Sequence, residues 1–419
     1  MSRQRDNSIM EFRKYQTEII KKGVKIISKH GFVYLAMEVR TGKTLTSLGI
    51  CRDLGVRQVL FLTKKKAIAS IDSDCEKLNL PYLNVFTINY ESIHKIPEQR
   101  WDVIICDEAH SLGAFPKPNK RAKQVRNLIY KSRARVILLS GTPTPESYSQ
   151  MYHQVYGIFN SPFSDFKNFY RFADVFVNVI EKKINGLFIR DYSRGSDMIL
   201  TQMKPYMIQF SQKDAGFKTE TTEQILMVNM KPETYKLARE LQRNLVVEGK
   251  EEVVLADTPV KLMMKLHQIY SGTIKFESGN SMVLDDSKAR FIKEKFKGKK
   301  IGIFYKFKEE LNAIKSVWQD GITTDLQDFQ EGQKDIALQI VSGREGISLR
   351  QADCLVYYNI DFSATSYWQS RDRMTTKDRL KNNVYWVFAN KGIEGKIYKA
   401  VVKKKDYTIK HFKRDLISL

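Results

Sequence analysis

The sequence predicts an α/β protein made of two parallel-sheet domains, and three observations carry that prediction. At 419 residues the chain is too long for one ordinary domain, so two is the natural division. Short apolar runs rich in β-branched residues alternate with polar, helix-prone segments, the pattern of strands covered by helices on both faces. Polar clusters follow these runs directly, at the strand carboxyl ends where function collects in open parallel sheets.

Composition narrows the function. The chain has 70 Lys and Arg against 47 Asp and Glu, a net charge of +23. Such an excess repels itself and points to a polyanionic partner, most simply nucleic acid. Cys51, Cys75, Cys106 and Cys354 lie far apart with no C-x-x-C pair, so neither a disulfide framework nor a zinc site is expected. The first residues are polar, and no apolar run approaches membrane-spanning length. A cytoplasmic protein without membrane contact is expected.

Taken in order, residues 11–30 place Phe12, Tyr15, Ile19, Ile20, Val24, Ile26 and Ile27 at helical spacing. In the first turn, the Gln16 carboxamide can both donate to and accept from an adenine edge. An apolar strand over 32–36 leads into Met37-Glu38-Val39-Arg40-Thr41-Gly42-Lys43-Thr44, and a helix follows. A helix N-terminus presents unpaired N–H groups to an anion; Lys43 can reach the β- and γ-phosphates of ATP, and the Thr44 hydroxyl can ligate Mg²⁺. Met37 stands where the first glycine of G-x-x-x-x-G-K-[ST] belongs, so a plain strand–turn–helix with a solvated lysine competes until partners are found.

Further strands are predicted at 59–62, 85–88, 103–106 and 136–139. They end in Thr63-Lys64-Lys65-Lys66, Asn89-Tyr90-Glu91-Ser92, Asp107-Glu108-Ala109-His110 and Ser140-Gly141-Thr142-Pro143. Asp-Glu at a strand end downstream of Gly-Lys-Thr is the Walker B arrangement. There Asp107 would hold Mg²⁺ through water, and Glu108 would orient and deprotonate the attacking water. From 145 to about 216 the strand rhythm lapses into aromatic sequence (Phe159, Phe163, Phe166, Phe169, Tyr170, Phe172, Phe176), a stripe that reads as core rather than as a base-stacking platform. A second βα rhythm places strands at 301–305, 336–341, 354–358 and 384–388. The lysine-rich end, Lys403 to Arg414, could contact a phosphate backbone, though such a run is more often simply solvated.

In this order the clusters resemble the motif series of superfamily-two helicases and translocases, within them the SWI/SNF-type DNA-dependent ATPases. Tyr15-Gln16 resembles the adenine-reading Q motif, residues 40–44 motif I, Asp107 to His110 the DEAH box, and Ser140 to Pro143 the coupling motif III. Residues 87–91 are similar to the segment before the DEAH box in the SWI/SNF branch, 204–208 to the crossing segment, and 390–398 to the segment closing the second lobe. Residues 342–349 resemble motif V, with Gly346 allowing close backbone approach. Trp368-Gln369-Ser370-Arg371-Asp372-Arg373 resembles motif VI. Gln369 and Arg373 fit Q-x-x-x-R-x-x-R, while Thr376 takes the second arginine's place, leaving Arg371, Lys377 or Arg379 to substitute.

The resemblance implies two tandem RecA-like P-loop domains, 1–215 and 216–419, with the ATP site in the cleft between them. It implies a nucleic-acid-stimulated ATPase acting as a DNA helicase or translocase in replication, recombination or repair. Arg13, Gln16, Arg40, Thr41, Gly42, Lys43, Thr44, Gly346 and Arg373 would bind ATP, and Thr44 and Asp107 would hold Mg²⁺. Glu108, Lys43, Arg373 and Arg371 would be catalytic; Ser140, Gly141, Thr142 and Gln369 would couple hydrolysis to movement. Thr63, Lys64, Lys65, Tyr90, Ser342 and Arg344 would touch the backbone of single-stranded, duplex or branched DNA. Other replication or repair proteins are further candidate partners, and the short chain resembles a phage motor working in a bacterial host cytoplasm. An RNA helicase, a motor subunit of a restriction or repair complex, and a nucleotide-dependent scaffold with weak turnover are the alternatives.

Overall fold

The computed structural model describes residues 11–184, 187–218, 220–249, 251–343, 347–363, 367, 370, 374 and 379–403. The chain divides into two compact units, 1–217 and 218–419.

The first unit opens with α1 (Lys14–His30), β1 (Phe32–Met37), α2 (Lys43–Asp53), β2 (Gln58–Thr63), α3 (Ile68–Leu78), β3 (Asn84–Asn89), β4 (Val103–Cys106), α4 (Lys120–Ser132) and β5 (Arg135–Leu139). It continues through α5 (Met151–Val155), α6 (Phe169–Phe176), the hairpin of β6 (Ile180–Ile184) and β7 (Leu187–Asp191), α7 (Met198–Met203) and β8 (Met207–Phe210). Helix α1 stops at Gly31, whose φ of 78° lies where a side chain would be strained.

The sheet is all parallel, in the order β3-β2-β4-β5-β1-β8. Successive residues of a strand point to opposite faces, and both faces here are buried. Phe32 and Tyr34 join one core with Leu60, Leu62, Ile104 and Leu138. Val33 and Leu35 join another with Val59, Phe61, Ile105 and Leu139. Continuous apolar runs are what such double burial requires.

The aromatic stripe is largely core: Phe163, Phe169, Phe172 and Phe176 are buried, with the Phe163 and Phe172 rings 4.9 Å apart. Phe159 and Tyr170 are exposed. The β6–β7 hairpin lies within this stretch, where the sequence shows a lapse in the strand rhythm.

The second unit runs β9 (Glu220–Val228), α8 (Pro232–Asn244), β10 (Val246–Glu248), β11 (Val253–Leu255), α9 (Pro259–Tyr270), β12 (Thr273–Lys275), β13 (Ser281–Val283), α10 (Ser287–Lys295) and β14 (Ile301–Tyr305). After these come α11 (Lys308–Trp318), β15 (Ile322–Thr323), α12 (Leu326–Glu331), β16 (Asp335–Gln339), α13 (Ile340–Gly343), β17 (Cys354–Tyr357), β18 (Lys381–Ala389) and α14 (Glu394–Val402). Its main sheet is also all parallel, β15-β16-β14-β17-β18-β9. The strand expected over 336–341 is shorter: the chain turns helical at Ile340, which stays buried while Val341 is exposed. β-branched residues favour a strand there, but the helix start lets Ile340 remain in the core. No helix among the described residues is long and apolar enough to cross a membrane.

Candidate nucleotide site

The phosphate loop begins where β1 ends. Met37, in the place of the motif's first glycine, is the last residue of β1; it pairs in register with Phe210 of β8, and its side chain is fully buried. The extended backbone there takes a side chain, so a glycine is unnecessary. The positive φ values fall later, at Arg40 (64°) and Gly42 (82°). At Gly42 a Cβ would also lie 2.4 Å from Nε2 of Gln16, so both backbone conformation and space require glycine.

Helix α1 supports the loop from behind. Buried Gln16 accepts from the Arg13 N–H through Oε1 (2.9 Å) and donates through Nε2 to the Gly42 carbonyl (3.4 Å). Tyr15 donates its hydroxyl to the Thr41 carbonyl (3.2 Å). Both polar atoms of the residue expected to read adenine therefore bond the polypeptide here. Inside the loop, the Thr41 hydroxyl (2.7 Å) and the Lys43 ammonium (3.3 Å) both donate to the Glu38 carbonyl.

The other side of the loop is fastened by residues that sequence reasoning missed. Gln212 donates its backbone N–H to the Glu38 carboxylate (2.7 Å) and its side chain to the Val39 carbonyl (3.0 Å). The Glu38 N–H donates to the Phe210 carbonyl (3.0 Å), and the Phe210 ring stacks on Tyr15 at 4.8 Å. No local signal in the sequence links positions so far apart.

Asp107 follows β4 and is half-buried. Its Oδ2 accepts from the Thr63 hydroxyl (2.9 Å) and its Oδ1 from the Glu108 N–H (3.0 Å). Burial, and then the neighbouring Glu108 carboxylate, push its pKa up to about 6, although Lys43 and the two donors pull the other way. Glu108 adopts a left-handed backbone, φ 49°, a conformation costing about 1–2 kcal/mol for an L-residue. His110 Nδ1 lies 3.3 Å from the Glu108 carboxylate and 3.0 Å from the Ser140 hydroxyl, which accepts in turn from the Thr142 N–H (3.1 Å). A polar chain thus runs from Glu108 to the loop after β5. Gly141 lies on that loop, where an added Cβ would meet the Val39 backbone at 3.4 Å.

Two residues expected to touch nucleic acid are corrected. Thr63 and Tyr90 are 0% and 1% exposed, and both hydroxyls turn to Asp107, Tyr90 donating to its carbonyl. The strand order β3-β2-β4 is the reason: β2 adjoins β4, so Thr63 at its end meets Asp107 directly, and the longer Tyr90 side chain after β3 reaches across the end of β2. Lys64 is half-buried and Lys65 exposed.

In the second unit, Arg344, Gly346, Gln369, Arg371, Arg373, Thr376 and Lys377 lie outside the described residues, as does the side chain of Ser342. Arg379 is described, and it is not available as a substitute arginine. Its guanidinium donates to the carbonyls of Ala352 (2.7 Å), Asp353 (2.8 Å), Arg350 (3.1 Å) and Lys381 (3.1 Å), clamping the entry to β17. Four carbonyls suit the planar fork of arginine and hold it there.

The residues of the first unit fit a nucleotide with Mg²⁺. Thr44 and Asp107 offer the hard oxygen ligands that Mg²⁺ takes. A partly buried carboxylate with a raised pKa gains from a cation beside it, and Lys43 at the start of α2 acts electrostatically on Asp107.

Residues 79–273 match the family model of the SNF2-related domain. That stretch takes in Asp107 to His110 and Ser140 to Pro143 but begins after the phosphate loop. No curated protein matches the sequence. Among solved structures, the Sulfolobus solfataricus SWI2/SNF2 ATPase core in complex with dsDNA is 15% identical with a TM-score of 0.44, covering 98% of this chain and 94% of that one. The Sulfolobus solfataricus SWI2/SNF2 ATPase core domain is 16% identical with a TM-score of 0.40, covering 95% and 90%. On the family match, the stretch 79–273, which carries Asp107, Glu108, His110 and Ser140, is similar to the SNF2-related domain.

Proposed function

We propose that the protein couples ATP hydrolysis to movement along DNA. One observation carries this: the Glu108–His110–Ser140 chain connects the acid beside the phosphate loop to the loop after β5. A change at Glu108 on hydrolysis therefore has a direct polar route into the rest of the first unit.

The residues divide the work. Lys43 and the N–H groups at the start of α2 bind the β- and γ-phosphates. Thr44 and Asp107 hold Mg²⁺, which supplies neutralising charge to the phosphate oxygens. Glu108 orients the attacking water and takes its proton. Arg373, with Arg371 second, is proposed as the arginine that stabilises charge on the γ-phosphate. The +23 net charge and exposed Lys65 support contact with a phosphate backbone, which makes binding weakly sequence-specific and steeply salt-dependent. Action in replication, recombination or repair, and a phage-type motor, complete the proposal.

The test is ATP hydrolysis without nucleic acid and with single-stranded, duplex and forked DNA, and with RNA. Stimulation by DNA is expected. Equal or greater stimulation by RNA replaces DNA with RNA as the track, and no stimulation by any of them overturns the motor.

A further inference from the structure

We propose that a cavity of about 570 Å³ in the first unit binds an unpaired nucleotide of a single nucleic-acid strand. Its volume lies within the roughly 300–1,000 Å³ of small-molecule sites. The proposal deepens the nucleic-acid reading above and rests on it for the choice of partner.

The cavity is not part of the nucleotide site. It is lined from α4, α5 and the start of α6, whose Val125, Tyr152 and Phe169 belong to the core on one face of the sheet. Helix α2, which carries Lys43, packs through Leu48 and Ile50 into the core on the opposite face.

Its chemistry selects a planar anion. Lys117, Arg126 and Lys167 line it, with no carboxylate among the lining residues. Tyr130, Tyr156 and Tyr170 supply flat aromatic faces in the same wall. At the rim, Tyr130 is 79% exposed and Tyr170 43%, so each presents its ring to solvent. Four residues apart on α4, Arg126 and Tyr130 share a helix face. A basic groove with aromatic platforms is the general solution for gripping a single strand, because rings take the bases and cations the phosphates. A cationic or neutral peptide would leave the three positive charges unanswered. In a duplex the bases are already stacked on one another and cannot enter.

The floor is built rather than incidental. Gly157 has a φ of 90°, and a Cβ there would come within 2.6 Å of Arg126 Cγ. Its absence lets the arginine stem lie against the chain, with the guanidinium 5.6 Å from the Tyr156 ring centroid. Tyr156 stacks on Tyr152 at 4.8 Å and donates its hydroxyl to the Lys167 carbonyl at 2.9 Å. Arg126 and Tyr156 are thus held in place before any ligand arrives, which lowers the ordering cost of binding.

The experiment measures fluorescence anisotropy of labelled oligothymidine and of a relaxed, covalently closed circular duplex, which has no unpaired nucleotides, without ATP. The proteins are the full chain, the double variant Tyr130→Ala/Tyr170→Ala, Arg126→Ala, and the aromatic-preserving Tyr130→Phe/Tyr170→Phe. The alanine pair should weaken single-strand binding about tenfold or more, as expected when a base loses its stacking partner, with the phenylalanine pair near wild type. Closed-duplex affinity and the ATPase it stimulates should stay within about twofold. Unchanged single-strand binding in the alanine pair, or an equal loss on the closed duplex, overturns the site. The two proposals fail separately. If closed duplex stimulates turnover and the substitutions do nothing to single-strand binding, the motor stands and the site falls. If no nucleic acid stimulates turnover but the substitutions still weaken single-strand binding, the site stands and the motor falls.

Discussion

Asp107 in the first unit is a half-buried acid and Asp285 in the second a fully buried one, and their surroundings are opposite. Asp285 accepts from the Lys231 N–H (2.6 Å), the Thr234 hydroxyl (2.7 Å) and the Ser287 N–H (2.9 Å). Burial alone would raise its pKa, but the donors outweigh it and hold the carboxyl below the ordinary range. Asp107 has two donors, a second carboxylate beside it, and a pKa pushed up to about 6. Asp285 ties a chain entry to a helix start and is satisfied by the protein. Asp107 is held in a state the protein does not fully stabilise, which suits a residue whose partner is a ligand.

The sharpest way to break this contrast is in the neighbouring carboxylate. Glu108→Gln should lower DNA-stimulated turnover by about two to four orders of magnitude while nucleotide binding and the unfolding midpoint stay near wild type. Wild-type turnover there would remove the catalytic role from this acid. Asp285→Ala should do the reverse: unfolding by denaturant should show a loss of about 3 kcal/mol, since three donors are left unsatisfied, with turnover per folded molecule retained. A large loss of turnover without loss of stability would erase the distinction.

pH separates the two acids further. A protonated Asp107 cannot hold Mg²⁺, so Mg²⁺-nucleotide affinity should fall as pH drops through about 6, measured by titration calorimetry. Thr63→Val removes a donor to the carboxylate and should move that inflection upward. The stability effects have opposite signs. Asp107, with its folded pKa above the unfolded value, disfavours the metal-free fold above pH 6, and that penalty fades as pH falls toward the unfolded value of 3.8. Asp285, with its pKa lowered, contributes stability that is present at neutral pH and is lost as pH falls through its folded value. The smallest expected effect is Ser140→Ala, which interrupts the chain from Glu108. Losing the hydroxyl's bonds to His110 and to the Thr142 N–H, each about 1 kcal/mol, should cut DNA stimulation several-fold while the basal rate changes little. An unchanged ratio of stimulated to basal rate would remove Ser140 from coupling.

Much of the architecture was legible because burial on both faces writes itself into continuous apolar runs such as Val103-Ile104-Ile105-Cys106. The same logic placed Asp107 and Glu108 at a strand end. Spacing does not say which strand lies next to which, however. Thr63 ends β2 and Tyr90 follows β3, positions that in the sequence read as facing a ligand; only the order β3-β2-β4 turns them onto Asp107. Arg379 reads as a basic residue beside a cluster of arginines, and nothing local announces the four carbonyls around it. The aromatic stripe concealed the β6–β7 hairpin because core aromatics serve helices and strands equally well.

The clasp on the phosphate loop has a consequence for the order in which the protein can be assembled. Glu38 and Gln212 are separated by 174 positions, and β8 must pair with β1 before Gln212 can reach the loop. A nascent chain exposes Lys43 early, but its loop stays open on one side until nearly the whole first unit has been made. Closing so long a stretch is slow and late in folding. A fragment ending before Met207 would keep every residue of the Gly-Lys-Thr signature and lack the strand and side chain that finish it.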